Sequence, residues 1–302
     1  MNDKKVIVLL SSYNGEKYIE EQLESILNQT YKNIEIIVRD DGSTDNTLEI
    51  LKKYEKQKNI YLEHGNNLGF LKSFYWLLEN TKEADYYSFA DQDDFWLENK
   101  IEKAVNTLNN MDQGKAALYF CDYDYYDKEM NFISHKKPFN TELTLQNSLV
   151  SFICSGFTCV INNELKRLFL QMPSEKLFMH DYFLLLLGIS FGNVFYDKNV
   201  YAKFRRHGKN SSFFSGNIIK TYFWRIKKFL LQDEFEFKKK WKVFFDVYRN
   251  EFNERDKKIL KLFANEKYRF DYALRKAFYK KRYRTSFFDE LTLRFIFLIG
   301  KI

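Results

Sequence analysis

Through its first 120 residues the chain alternates short apolar runs with longer stretches of helical periodicity, and this alternation limits its fold more than any other feature. Residues 6–10, 34–38, 60–63, 86–90 and 116–121 read as strands, the first of them buried. Between them, apolar side chains recur every three or four positions: Ile19, Leu23, Ile26 and Leu27; Leu48, Leu51 and Tyr54; Phe70, Leu71, Phe74, Leu77 and Leu78; Ile101, Ala104, Val105 and Leu108. A strand that returns through a helix lies parallel to its predecessor with a right-handed crossover, so the expected architecture is an open, mostly parallel α/β sheet flanked by helices. Such sheets bind ligands beyond the carboxyl ends of their strands.

Those ends carry the chemistry. The first strand runs into Ser11, Ser12, Tyr13 and Asn14, the second into Asp40, Asp41, Gly42, Ser43 and Thr44, the third into a glycine turn ending at Gly69, and the fourth into Asp91, Gln92, Asp93 and Asp94. Three carboxylates within four residues repel one another unless they share a cation. Magnesium or manganese takes one or two carboxylates and completes its shell with water and phosphate oxygens, so Asp91 and Asp93 suit a nucleoside diphosphate ligand. A second reading has Asp93 or Asp94 capping the helix that carries Ile101. Asp40 and Asp41 could accept hydrogen bonds from a base N–H or a ribose hydroxyl, with Ser43 or Thr44 expected to cap the following helix.

Composition sets the class. Of 302 residues 45% are hydrophobic and 19% aromatic, with eleven glycines and two prolines, which excludes disordered and fibrous chains. Cys121, Cys154 and Cys159 form no CxxC pair, so neither a zinc site nor a disulfide framework is expected, and a reducing cytoplasm fits. No signal peptide and no bilayer-spanning run of about 20 apolar residues is expected. The net charge of +7 conceals a division. Residues 1–215 hold 25 lysines and arginines against 30 acids, whereas residues 216–302 hold 23 against 11. The domain boundary is therefore expected near Ser215, with a catalytic domain over 1–215 and a basic, aromatic-rich helical region over 216–302.

The joint order of the motifs, SSYNGEKYIEEQLESILNQTY, RDDGSTDNT, NNLGF and ADQDD, resembles the GT-A fold glycosyltransferases of family 2. That resemblance implies that Ser12, Tyr13 and Asn14 lie beside the nucleotide, that Asp40 and Asp41 hold base and sugar, and that Gly69 and Gln92 help form the donor site. It implies that Asp93 ligates Mg2+ or Mn2+, with Asp91 as a further ligand or a contact to ribose or donor sugar. Trp96 and Lys100 match a pattern just beyond the metal site; a packed tryptophan and a solvated lysine are the other reading.

The same resemblance places a catalytic carboxylate at the start of a downstream helix. Asp181, in the run Met179, His180, Asp181, Tyr182, matches as the base that deprotonates an acceptor hydroxyl; helix capping is its other reading, and His180 departs from the commoner acidic neighbour. The run HDYFLLLL followed by YAKFRRHGKNSS is similar to bacterial polysaccharide rhamnosyltransferases. This implies dTDP-rhamnose as donor, with Arg205, Arg206 and His207 closing over the diphosphate and UDP-sugars using the same scaffold. An inverting single displacement follows. A nucleotidyltransferase, marked by pyrophosphate release, and a non-catalytic nucleotide-sugar-binding protein are the alternatives.

Beyond Ser215 only helices are expected, with Tyr222, Phe223, Ile226, Phe229 and Leu230 on one face and Lys220, Lys227 and Lys228 away from it. Three partners suit a basic, aromatic helical end: the catalytic domain, a second copy in a homodimer, or an anionic membrane surface, the last fitting a polyprenyl-diphosphate-linked glycan acceptor at the inner face of the plasma membrane. Nucleic acid is not expected, since no recognition motif is present.

Overall fold

The computed structural model describes residues 4–111, 114–207 and 235–301. Two compact units are present, the first built from the chain up to residue 138 together with 152–206, the second from 139–151 and the chain from 207 onward.

The first unit contains a nine-stranded sheet. Its strands are β1 (Val6–Ser12), β2 (Ile34–Asp40), β3 (Tyr61–His64), β4 (Tyr86–Asp91), β5 (Phe95–Trp96), β6 (Ala116–Tyr126), β7 (Phe132–His135), β8 (Cys159–Asn162) and β9 (Gly192–Arg205). The order is β3-β2-β1-β4-β8-β6-β9-β5, with β7 paired to β6. The β3-β2-β1-β4 half is parallel, as the crossovers through α1 (Ile19–Leu27), α2 (Thr47–Lys56) and α3 (Phe70–Asn80) require. Residues 6–10 of β1 are inaccessible to solvent because helices cover both faces of a parallel sheet. Each of these side chains contributes about 1.5–3 kcal/mol by leaving water. α1 buries Ile19, Leu23 and Ile26, and α4 (Lys100–Asn109) buries Ile101, Ala104, Val105 and Leu108, the spacings read from sequence.

The other half departs from strict parallel alternation. The fifth predicted strand, β6, does not neighbour β4; the four-residue β8 lies antiparallel between them. A buried run of four residues carries no periodic signal. β8 leads into α6 (Asn163–Phe169), and α7 (His180–Phe191) follows, with its first nine residues buried. An all-round apolar helix belongs in an interior.

The second unit is helical: α5 (Leu145–Val150), α8 (Phe235–Val247), α9 (Glu254–Phe263), α10 (Phe270–Ala277) and α11 (Phe287–Leu298). Trp241, Phe244, Tyr248, Leu260, Phe263 and Phe297 form its core, and the Trp241 indole N–H donates to Leu149 O at 3.0 Å. That bond shows why residues 139–151, which the charge step at Ser215 assigned to the catalytic domain, join this unit instead: α5 supplies a carbonyl and an apolar face to the aromatic core. Ser215 and the helix face around Tyr222 lie outside the described residues. Among the described residues no helix is long and apolar enough to cross a membrane.

Candidate active site

Strand register assembles the rim. Ser12 stands opposite Asp40, and Ser11 opposite Asp91, so the ends of β2, β1 and β4 present their polar residues side by side.

Asp40 and Asp41 are both buried and both engaged by the protein itself. Asp40 accepts the Ser43 N–H at 3.0 Å and its hydroxyl at 2.5 Å, and pairs with His64 Nδ1 at 3.0 Å. Asp41 accepts Arg39 Nη1, and it accepts the amides of Leu68 and Gly69 at 2.8 Å apiece. A carboxylate offers about four acceptor sites, so each acid spends most of its capacity on shaping turns. Gly69 takes φ 82° there, and a Cβ on it would meet nothing within 4 Å. Ser43 and Thr44 do not cap α2, contrary to expectation: the N-cap position is Asn46, Ser43 serves Asp40, and Thr44 N donates to Asn14 Oδ1 at 2.8 Å.

Asn14 adopts φ 50°, a left-handed conformation that asparagine tolerates better than most residues. Its own amide donates to Ser43 Oγ at 2.9 Å. Gln92 clamps the neighbouring residue: its Oε1 accepts Tyr13 N at 2.8 Å and its Nε2 donates to Tyr13 O at 3.0 Å. Gly15 leaves room for this clamp, since a Cβ there would lie 2.2 Å from Gln92 Oε1 and displace the amide. Tyr13 is left 46% exposed above this braced backbone, and Ser12 Oγ is buried without a hydrogen-bond partner among the described residues. Gln92 is thus a scaffold amide.

The acidic end of β4 is electrostatically loaded. Burial, then Asp93, then Asp181 raise the Asp91 carboxyl to about 7. Burial followed by Asp93 and Asp91 pushes Asp94 well above the carboxylate range, and its Oδ2 is buried without a hydrogen-bond partner among the described residues. Neither Asp93 nor Asp94 caps α4, which starts at Lys100 behind Asn99 with β5 intervening. The capping reading is therefore overturned. Mutually repelling carboxylates with oxygen donors only fit a hard divalent cation. Among the described residues no group of three or more His, Cys, Asp or Glu side chains is placed to hold a metal ion.

Asp181 is the second residue of α7, and the N-cap position is Met179, so Asp181 is not the capping residue. Its Oδ1 accepts Tyr182 N at 2.7 Å and its Oδ2 accepts Gly156 N at 3.2 Å. Burial raises its pKa, opposed by His180 and these amide bonds. His180 is buried between Phe74 and Phe89, with ring centroids 4.8 and 5.2 Å away, and neither ring nitrogen has a hydrogen-bond partner among the described residues. Burial holds it neutral by lowering its pKa against the pull of Asp181. A Cβ on Gly156 would lie 2.2 Å from His180 Nε2. Gly156 escaped sequence reasoning because nothing in its surroundings signals a partner 25 positions away.

The basic run resolves into different roles. Arg205 is buried, and its guanidinium donates to Asp93 O at 3.0 Å, Lys128 O at 3.0 Å and Glu21 Oε2 at 2.5 Å, while its backbone N donates to Asp94 Oδ1 at 3.1 Å. It braces the acidic loop against α1, where sequence reasoning had it reach the donor. Arg206 lies over the Tyr125 and Phe204 rings at 4.6 and 5.2 Å. His207, half-buried, belongs to the second unit. Trp96 and Lys100 are core residues: Lys100 Nζ sits 3.4 Å from the Trp96 ring centre and donates to Ser88 Oγ at 3.2 Å, with neither side chain in contact with solvent. The reading of Lys100 as a solvated lysine is thereby corrected.

Residues 7–169 match the family described as glycosyl transferase family 2. An uncharacterized glycosyltransferase of Rickettsia typhi is 33% identical over 224 residues, covering 72% of this chain and 69% of that one. The dTDP-rhamnosyl transferase RfbG of Shigella flexneri is 40% identical over 105 residues, 33% of this chain and 36% of its own. Among solved structures, S. aureus TarS in complex with UDP-GlcNAc is similar with a TM-score of 0.63 at 17% identity, covering 98% of this chain and 79% of that one. A mannosyltransferase of Pyrobaculum calidifontis in complex with GDP-Man and Mn2+ is similar at a TM-score of 0.55 and 15% identity, over 98% and 74% of the two chains. These likenesses show the GT-A fold.

Proposed function

The chain belongs to glycosyl transferase family 2, and from that premise we propose that this glycosyltransferase moves L-rhamnose from dTDP-rhamnose to a hydroxyl of a growing, lipid-carried cell-surface glycan. The observation that carries the reading is the electrostatic convergence of Asp91 and Asp93, at the end of β4, with Asp181 at the start of α7. The partial likeness to RfbG supports the sugar. The three free thiols fit a reducing cytoplasm.

In this reading Asp181 takes the proton of the acceptor hydroxyl as its oxygen attacks the anomeric carbon from the face opposite the diphosphate. The bond to the diphosphate breaks, a glycosidic bond forms, and configuration inverts through an oxocarbenium-like state. Burial suits Asp181 to the task, since a carboxyl raised toward working pH is a stronger base, and the Gly156 and Tyr182 amides orient it. Held by Asp91 and Asp93, Mg2+ or Mn2+ would neutralise charge on the leaving diphosphate. Arg206, spread over Tyr125 and Phe204, adds fixed positive charge at the end of β9.

The test is a panel of dTDP-rhamnose and UDP- and GDP-sugars with Mg2+, Mn2+ or chelator, read as nucleoside diphosphate release. Preference for dTDP-rhamnose is expected; preference for a UDP-sugar would replace the donor, pyrophosphate release from an NTP would replace the reaction, and chelator-resistant turnover would remove the metal. Asp181→Asn is expected to lose about 10²–10⁴-fold in turnover while retaining donor affinity.

A further inference from the structure

The described residues of the second unit expose an apolar helix face. Successive residues of an α-helix turn by about 100°, which places Phe287, Phe288, Leu291, Phe295 and Ile299 within one arc of about 120° at the α11 surface. Phe288 is 70% exposed and Phe295 60%, while Leu293, Ile296 and Phe297 on the other side are buried in the bundle. An exposed row of large apolar residues on an otherwise well-packed helix marks a contact surface.

The edge of this stripe is basic. Arg294 borders it, neutralised by Glu290 at 2.6 Å, and its guanidinium also donates to Ala277 O at 2.6 Å and Lys281 O at 3.1 Å, so the turn after α10 runs alongside and carries further cations. That turn presents Phe278, 72% exposed, together with exposed Lys280, Lys281 and Arg282, with Arg275 exposed one turn earlier. Lys281 is partly neutralised by Glu142 at 2.6 Å. Residues 267–301 hold ten lysines and arginines against three acids. Two copies meeting through this face would oppose like charges, whereas an anionic surface complements it.

We propose that the α11 stripe and its basic edge dock the protein on a membrane surface of anionic phospholipid, the phenyl rings entering the headgroup boundary and the cations pairing with lipid phosphates. Shallow insertion fits: α11 spans about 18 Å, too short to cross a bilayer, and an amphipathic helix of this kind lies in the interface plane. Long basic side chains then extend from the apolar edge toward the phosphates.

Co-sedimentation of the full chain with phosphatidylcholine vesicles, with and without phosphatidylglycerol, at low and high salt, tests this. Binding that requires phosphatidylglycerol and weakens with salt is expected. Replacing Phe288 and Phe295 together by serine should weaken it about tenfold or more, and replacing Arg275, Lys280 and Arg282 by glutamine roughly a hundredfold. Unchanged circular dichroism and donor hydrolysis verify that each variant is folded. Absence of vesicle binding, binding indifferent to both variants, or a stable dimer in sedimentation equilibrium that the phenylalanine variant dissolves would overturn the proposal.

Discussion

Lys100 shows what burial does to a single charge. Its ammonium sits over Trp96 in a dry interior, and burial lowers its pKa to about 8 despite the opposing Cys121 and Cys159. The folded chain therefore releases this proton at lower pH than the unfolded chain, whose lysine titrates near 10.5. Between those values the unfolded state binds more protons, so this residue's contribution to stability rises with pH. Relative to Lys100→Met, the wild type should gain up to about 3 kcal/mol between pH 7 and pH 10. Urea unfolding of both proteins at several pH values reads the difference, and parallel curves would show that the lysine stays charged, held by the Trp96 face. In sequence the structural reading of Lys100 is a solvated lysine; only packing reveals it as core.

At the scale of elements, the turn Gly156–Thr158 and the start of α7 form one device. Gly156 gives its amide to Asp181 and leaves room for His180. A methyl group in that position forces imidazole or turn to move, so Gly156→Ala should cost about 1–3 kcal/mol and most of the transferase activity. Combining it with His180→Ala should recover part of the stability, because the obstruction is removed; a double-mutant cycle with no coupling would show that the two do not meet in this way. A second device links β9, the acidic loop and α1 through Arg205. Sequence spacing placed the acids, the glycine turn and the helix of Asp181, because strand ends and helix starts are local. It misassigned Ser43, Thr44 and Arg205, whose partners are fixed by how loops from different strands meet.

For the whole molecule, an acidic ligand-binding unit and a basic helical unit share one chain, and binding should be visible as stability. A bound cation would relieve the repulsion among Asp91, Asp93 and Asp94, so under the proposed function Mn2+ with dTDP should raise the unfolding temperature by several degrees, about 2.7 kcal/mol at a hundred times the dissociation constant. Chelator should reverse the shift, and Asp93→Asn should abolish its metal-dependent part; a shift of equal size in that variant would move the ion elsewhere. The sequence by itself determined the parallel α/β half, the order of its polar strand ends and the helical character of the described basic region, since these follow from periodicity and composition along the chain. The tertiary structure alone decided that β8 enters antiparallel between β4 and β6, that residues 139–151 join the helical unit, and that Asp40, Asp41, Gln92 and Arg205 spend their hydrogen bonds on the scaffold. Those outcomes depend on which distant donors and acceptors come within three ångströms, and no local pattern encodes that.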